Sequence, residues 1–512
     1  MKMKKLFSLI SACVLLSGSI IPLVGCAPTK DETVVLKVAN WEEYIDLGDW
    51  DEADLVDVEN PYSPDGIIGV NSMMDDFAEW FAEQDYGFDV RVEYSTFGTN
   101  EDLYNQLNLG DTYDLVCPSD YMLMKLIADG KAEKFSSQFK DVSIATNYYA
   151  KYVSRYIDCD DNSIFAKHGW DEYAACYMWG TTGIVYNPEK IEDESDVETW
   201  AILNDSDYKK KVTVKDNVRD AYFATLGLLN ADELLENITP EQRSAILNDV
   251  NDETIAKAQA KLKEIKENVY CFETDSGKSD MVTGKVVANY QWSGDAVYIL
   301  DEAEDDANPI DLWYSVPQEV TNLWFDGWLM MKDSIAGNAN KKTAAEAFIN
   351  FLSRPDNAIR NMEYIGYTSA IADETILSYM DWNYGIEDDF DGETYEYDLE
   401  YFFGTGASIT IDKANVIVES DGTISKGRQL FAQYPTQSVI DRSVIMLDFG
   451  DKLADINQMW INVRCLDLVD IPIEIILGVA ITIVIFVSAI CIYVFRDSIF
   501  VPKAKRGYKK VN

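Results

Sequence analysis

The chain carries one histidine, His168, in 512 residues. A Ser-His-Asp hydrolase would have to use that residue, and no HExxH pair, GxSxG elbow or GxxxxGK[ST] loop occurs in the sequence. Gly277-Lys278-Ser279 is the tail of a phosphate loop without its preceding glycine, and Asp448-Phe449-Gly450 lacks every other kinase element, so both are coincidences. Cysteine is scarce too. Of eight, Cys13, Cys26 and Cys491 lie in apolar terminal segments, and Cys117, Cys159, Cys176, Cys271 and Cys465 remain. That odd set has no CxxC spacing and indicates neither a zinc site nor a full disulfide framework. Positive charge is the third shortage: 43 Lys and Arg face 89 Asp and Glu, a formal charge of −46. Setting aside the three lysines of the leader, and the six basic residues and Asp497 of the tail, leaves −54 on residues 26–474. A surplus of that sign argues against a nucleic-acid partner. It suits a cationic ligand, although an acidic surface also serves solubility.

Long apolar runs occur only at the two ends. Residues 1–25 read as a secretory leader, MKMKK followed by an apolar stretch from Leu6 to Leu23 that Gly18 interrupts. The stretch ends in Leu23-Val24-Gly25-Cys26, which resembles a bacterial lipobox, so Cys26 is the expected lipidation site and mature N-terminus. Residues 475–495 are 21 positions without a charge, long enough to cross a hydrocarbon core of about 30 Å. Six basic residues in 496–512 then predict a cytoplasmic tail. The expected location is the cell membrane, anchored at both ends, with the body outside the cytoplasm.

A body of this length exceeds one ordinary hydrophobic core, so two lobes are expected. Strand-like segments at 34–41, 88–94 and 113–117 alternate with helical ones around 73–84 and after Asn100, a βαβαβ order that predicts parallel sheets covered by helices. Ligands of such α/β folds sit at the carboxyl ends of strands. Further strands are predicted at 182–186, 211–214, 286–290 and 329–331, and helices at 240–248, 252–267 and 341–352, the last ending before Pro355. Two acidic segments stand apart, 46–65 and 387–400, and no internal repeat is evident. Glu387, Asp389, Asp391, Gly392 and Asp398 approach the spacing of a calcium loop. The terminal bidentate glutamate is an aspartate and flanking helices are not obvious, so a solvated acidic loop is the plainer reading and no metal or cofactor is expected. Tyr148-Tyr149 could supply phenolates to iron, but reads more simply as two packed tyrosines.

Several segments, taken in order, resemble the spermidine/putrescine-binding proteins of ABC transporters. They are Asn40-Trp41-Glu42-Glu43-Tyr44, Val92-Glu93-Tyr94-Ser95-Thr96, Tyr113-Asp114-Leu115-Val116, Pro118-Ser119-Asp120-Tyr121, Tyr177-Met178-Trp179-Gly180, Asp216-Asn217-Val218-Arg219-Asp220, Trp292-Ser293-Gly294, Trp324-Phe325-Asp326 and Ile365-Gly366-Tyr367. The resemblance implies a two-lobed type II periplasmic-binding-protein fold. One lobe would comprise 34–178 plus 324–371 and the other 179–323 plus 372–465. It also implies a polyamine ligand, no catalysis, and as partners an ABC permease with its cytoplasmic ATPase.

The chemistry is coherent without the family. A polyamine is a row of ammonium groups joined by methylenes, so its pocket needs carboxylates at matching separations and flat apolar walls. Aromatic faces supply those walls and attract the ammonium, by about 2 kcal/mol or more when water is excluded. Each charge-assisted hydrogen bond from a carboxylate adds about 1.5–3 kcal/mol. By motif position Trp41, Tyr44, Tyr121, Trp292, Trp324 and Tyr367 resemble the family's aromatic walls, Glu43, Asp220 and Asp326 its carboxylates, and Ser119 a polar side contact. Asn217 stands where the family commonly has an aspartate, Glu42 where a small hydroxyl residue is usual, and Asp220 where a glutamate is usual. These departures relocate charge and leave the identity of the polyamine open. Residues 46–65 look like an insertion beside the mouth of the cleft. Two other readings stay open: the same fold binding another cationic or neutral solute, and a carbohydrate-active enzyme, because carboxylates among tryptophans also build glycosidase clefts.

Overall fold

The computed structural model describes residues 33–48, 71–305, 308–387 and 389–465, together with 477–478, 481–490 and 493. The leader 1–25, the lipidation site Cys26 and most of the insertion 46–65 lie outside these residues. Of the predicted span 475–495, the described positions are helical, with Ile481, Val484, Ile485 and Phe486 exposed. Among the described residues no helix is long and apolar enough to cross a membrane; the rest of that segment lies outside them.

The predicted βαβαβ start is present. Strand Thr33–Trp41 pairs in parallel with Asp89–Phe97 on one side, from Thr33 opposite Asp89 to Trp41 opposite Phe97, and with Leu115–Val116 on the other. Helix Met73–Glu83 connects the first two strands. Ser72 starts it, its hydroxyl accepting from the Asp75 N–H, and its buried stripe is Met73, Phe77 and Phe81. Phe77 meets Phe348 edge-on at 5.0 Å, which packs this helix against helix Ala339–Leu352. A second parallel set is built from Val212–Lys215 between Cys271–Glu273 and Ala288–Trp292.

Two long strands join the sets. Ala174–Tyr186 and Thr321–Met331 are buried at every position, as strands covered on both faces must be. The antiparallel register pairs Leu323 with Thr181 and Leu329 with Ala174. Beyond Thr181 the first strand changes partner, Thr182–Tyr186 lying against Ala288–Trp292 and its end against Trp313–Ser315. Thr321–Met331 meanwhile continues into the first set through Leu329 and Val116. The chain therefore forms two α/β lobes that share an antiparallel ribbon. The predicted strands at 182–186 and 329–331 are only the ends of these two elements.

In the acidic segment, helix Glu374–Tyr384 precedes Glu387, and Thr394–Asp398 is a strand paired antiparallel with Ser408–Asp412, so the second half of the segment is a hairpin arm where a calcium loop would wrap the ion. No cluster of metal-ligating side chains exists among the described residues. Tyr149 is wholly buried, its hydroxyl donating to Asp158 at 2.9 Å and accepting from the Cys176 N–H at 3.0 Å, which is a structural role. All five body cysteines are free thiols.

Candidate functional site

Four of the motifs follow the carboxyl ends of parallel strands, where an α/β fold places its ligands. Trp41–Tyr44 leaves strand Thr33–Trp41, Ser119 and Tyr121 follow Leu115–Val116, the Asn217 and Asp220 stretch follows Val212–Lys215, and Trp292 ends Ala288–Trp292. Helices Asp120–Ala128, Val218–Leu229 and Ser293–Asp305 start at three of these points, each with an aspartate in its first turn: Asp120, Asp220 and Asp295. The partial positive charge of a helix N-terminus favours acids there. The fold thus gathers carboxylates at the seam between the lobes.

Asp326 is central. It lies on the shared strand where the register slips between Asp326 and Gly327, and forms an isolated bridge with Ser119. Its Oδ2 accepts from the Tyr44 hydroxyl at 2.7 Å, while its Oδ1 is buried without a hydrogen-bond partner among the described residues. Burial pushes the Asp326 carboxyl up to about 6, against the pull of the neighbouring Ser119 and Tyr44 hydroxyls. Around it the rings are continuous: Tyr44 to Tyr367 at 5.2 Å, Tyr367 to Trp324 at 5.5 Å, and Tyr44 to Tyr177 at 5.7 Å. Gly294 is required beneath Tyr367, because a Cβ there would lie 2.2 Å from the ring.

Tyr367 passes the chain of contacts into the other lobe by donating to Asp295 Oδ1 at 3.1 Å. Asp295 Oδ2 lies 3.3 Å from the Lys215 ammonium, which sits 4.0 Å over the Trp292 ring. Asp220 is next to it: burial pushes this carboxyl up to about 6, while Lys215, the Trp292 indole and Arg219 pull it down. Tyr121 is packed under the Arg219 guanidinium and accepts at its hydroxyl from Asn100 at 2.7 Å; Asn100 also reaches Ser119 at 3.1 Å.

Four predicted residues sit apart from this buried chain. Trp41 packs on Phe97 at 4.8 Å, its indole N–H buried without a partner among the described residues. Asn217 caps helix Val218–Leu229, its Oδ1 accepting from the N–H groups of Arg219 at 2.8 Å and Asp220 at 3.4 Å. That oxygen is committed to the backbone, a role that asparagine and aspartate fill equally well. Glu42 and Glu43 are exposed, and Glu43 has a left-handed backbone with φ of 52°. Glu43 nevertheless faces the opposite lobe. Burial alone would lower the Lys278 ammonium, but Asp295, Asp275 and Glu43 outweigh it and hold it above its ordinary value.

Asn100, Tyr177, Lys215, Arg219 and Asp295 join this cluster and were not among the predicted ligand residues. Tyr177 and Arg219 lie inside quoted motifs, and Lys215 and Asp295 immediately beside two of them. Strand-end position was the available signal.

Residues 73–375 match the family described as "Bacterial extracellular solute-binding protein". The chain is 27% identical over 368 residues to a spermidine/putrescine-binding periplasmic protein of Escherichia coli, covering 71% of this chain and 86% of that one. A putrescine-binding periplasmic protein of Pseudomonas aeruginosa is 26% identical over 366 residues, covering 69% of this chain and 82% of the relative. In three dimensions the fold resembles a putative spermidine/putrescine ABC transporter protein from Listeria monocytogenes, with TM-score 0.55 and 21% identity over 84% of this chain and 98% of the other.

Proposed function

Because this chain belongs to the bacterial extracellular solute-binding proteins, we propose that it captures a polyamine outside the cytoplasm and delivers it to an ABC importer. The observation that carries this reading is Asp326: a carboxyl buried among Tyr44, Tyr367 and Trp324, with one oxygen lacking a hydrogen-bond partner among the described residues. A buried charge is tolerated only when paired, and rings around a carboxylate favour an organic cation. Asp220 beside Trp292 repeats the arrangement across the seam. An extended amine spanning the two would contact both lobes and stabilise their closed form, which is what a permease would recognise. The similar proteins named for spermidine and putrescine support the same ligand class. The carbohydrate-active alternative has no supporting observation.

The lobes we assign are 34–178 with 324–371 and 179–323 with 372–465. The change of partner along Ala174–Tyr186 supports the division, while residues 400–403 reach back to the first lobe, where the Ser154 hydroxyl donates to the Phe402 carbonyl at 2.8 Å. The ligand set we propose is Trp41, Glu42, Glu43, Tyr44, Ser119, Tyr121, Asp220, Trp292, Trp324, Asp326 and Tyr367, with Asn217 acting through its helix cap. Lipidation at Cys26 and a span at 475–495 would hold the binder beside its permease and raise their encounter rate.

Isothermal titration with putrescine, spermidine, a basic amino acid and an oligosaccharide tests the ligand class. Heat from an amine alone is the expected result, and silence from every amine removes the proposal. Membrane fractionation of Cys26→Ser and of a chain ending at 474 tests the two anchors; release of neither variant, even when the changes are combined, contradicts them.

A further inference from the structure

Lys215 is wholly buried at the carboxyl end of strand Val212–Lys215. Its ammonium donates to the Thr274 carbonyl at 2.8 Å, lies 3.3 Å from Asp295 and 3.9 Å from Glu273, and sits 4.0 Å over the Trp292 ring. These are the contacts an amine ligand would seek: an aromatic face, carboxylates and a carbonyl oxygen. Burial with all of its neighbours engaged keeps this lysine from serving as a receptor for an anion.

We propose that Lys215 is a resident ammonium that fills one cation position of the proposed amine site, so that the protein selects diamines over triamines. This rests on the polyamine reading above and names the ligand within it. The accounting of acids supports it. Asp295 is engaged by Lys215, Lys278 and Tyr367. Glu273 is engaged by Lys215, the Gly277 N–H and Asn289, and Asp120 accepts from the N–H groups of Tyr121 and Phe325. Asp326 retains an oxygen without a hydrogen-bond partner among the described residues, and Asp220 is drawn by Lys215, the Trp292 indole and Arg219. Asp326 and Asp220 are thus the two buried carboxyls of the proposed ligand set, Glu42 and Glu43 being exposed, and they match two ligand charges. A third ammonium would meet the lysine instead of an acid, and like charges at short range disfavour binding.

The test is titration of the full chain with butane-1,4-diamine and with spermidine, before and after Lys215→Met. Unaltered protein should bind the diamine at least tenfold more tightly. Lys215→Met should move the diamine-to-triamine ratio at least tenfold towards spermidine, and Lys215→Met with Asp295→Asn, which removes both partners, should forfeit most of that shift. Equal or tighter binding of spermidine by unaltered protein overturns the inference, as does an unchanged ratio in a folded Lys215→Met variant. Should that variant not fold, the comparison on unaltered protein decides alone. Failure of both amines to bind unaltered protein defeats the polyamine reading itself and this inference with it, whereas binding without discrimination defeats only the inference.

Discussion

The Arg219 guanidinium lies 3.5 Å from the centre of the Tyr121 ring. Arg219 belongs to the helix after strand Val212–Lys215 and Tyr121 to the helix after Leu115–Val116, so the contact crosses the seam between the lobes. On its other side the guanidinium meets Phe449 at 4.0 Å, and it donates to the Leu447 carbonyl at 2.8 Å. It is a buried cation bridging the two lobes.

A desolvated cation–π contact contributes about 2 kcal/mol, close to a thirtyfold change in an equilibrium constant. Arg219→Ala should therefore speed amine dissociation by tenfold or more, with a smaller effect on association. Stopped-flow displacement measures both, and an unchanged off-rate would show that the contact carries no closure energy.

Asp326→Asn should weaken amine binding at least tenfold while leaving the melting temperature of the unliganded protein unchanged or raised, because it removes a costly buried charge. Asp220→Asn should behave alike. Calorimetry of both variants decides; normal affinity in both would mean that the ligand sits elsewhere.

The same two acids predict a pH dependence. Burial raises each from the ordinary 3.8 to about 6, so the folded chain holds protons more tightly than the unfolded chain between those values. The cost of their charges is absent below about pH 4 and complete above about pH 6, worth roughly 3 kcal/mol per group. Wild type should accordingly gain stability relative to Asp326→Asn as pH falls through that window. A bound cation lowers both carboxyls again, so amine binding should release protons near pH 6 and strengthen as pH rises through it. Titration in buffers of different ionisation enthalpy reports this release; identical heats in all buffers would refute it.

Gly294→Ala should abolish most binding, because its Cβ would collide with the Tyr367 ring that joins Tyr44 to Trp324. Loss of at least tenfold in affinity with a native circular dichroism spectrum is expected. Full affinity would mean that the ring can move without consequence.

Arg360 offers a stability test away from the ligand residues. It pairs with Asp46 at 2.8 Å and Asp76 at 2.7 Å, and donates to the Asn71 carbonyl at 3.2 Å, tying together the described ends of the acidic insertion. Arg360→Met would break the buried ion pair with Asp46, a loss of about 3–5 kcal/mol, measurable by urea unfolding.

Legibility in the sequence followed a physical rule. Helices whose ends carry chemical signals read well: Pro240–Leu247 has a Thr239/Gln242 capping box with proline at its start, and Ala339–Leu352 stops just before Pro355. The shared strands read poorly because they bear the site. In Thr321–Met331, Asp326 and Gly327 interrupt the apolar run, so only its end looked like a strand, and Ala174–Tyr186 is buried on both faces and shows no alternation. Tyr44, Trp324, Asp326 and Tyr367 were found through motif order, which encodes their meeting. Lys215 and Asp295 stand one residue outside quoted motifs, and only the fold reveals that they face each other.

The slip in strand pairing at Asp326 and Gly327 sets the central acid of the proposed ligand set on the ribbon that both lobes share. Were the lobes to turn about that ribbon, a side chain on the axis would travel little while the distant rims swept much farther. A cation held there would then couple its own capture to the largest displacement the fold allows.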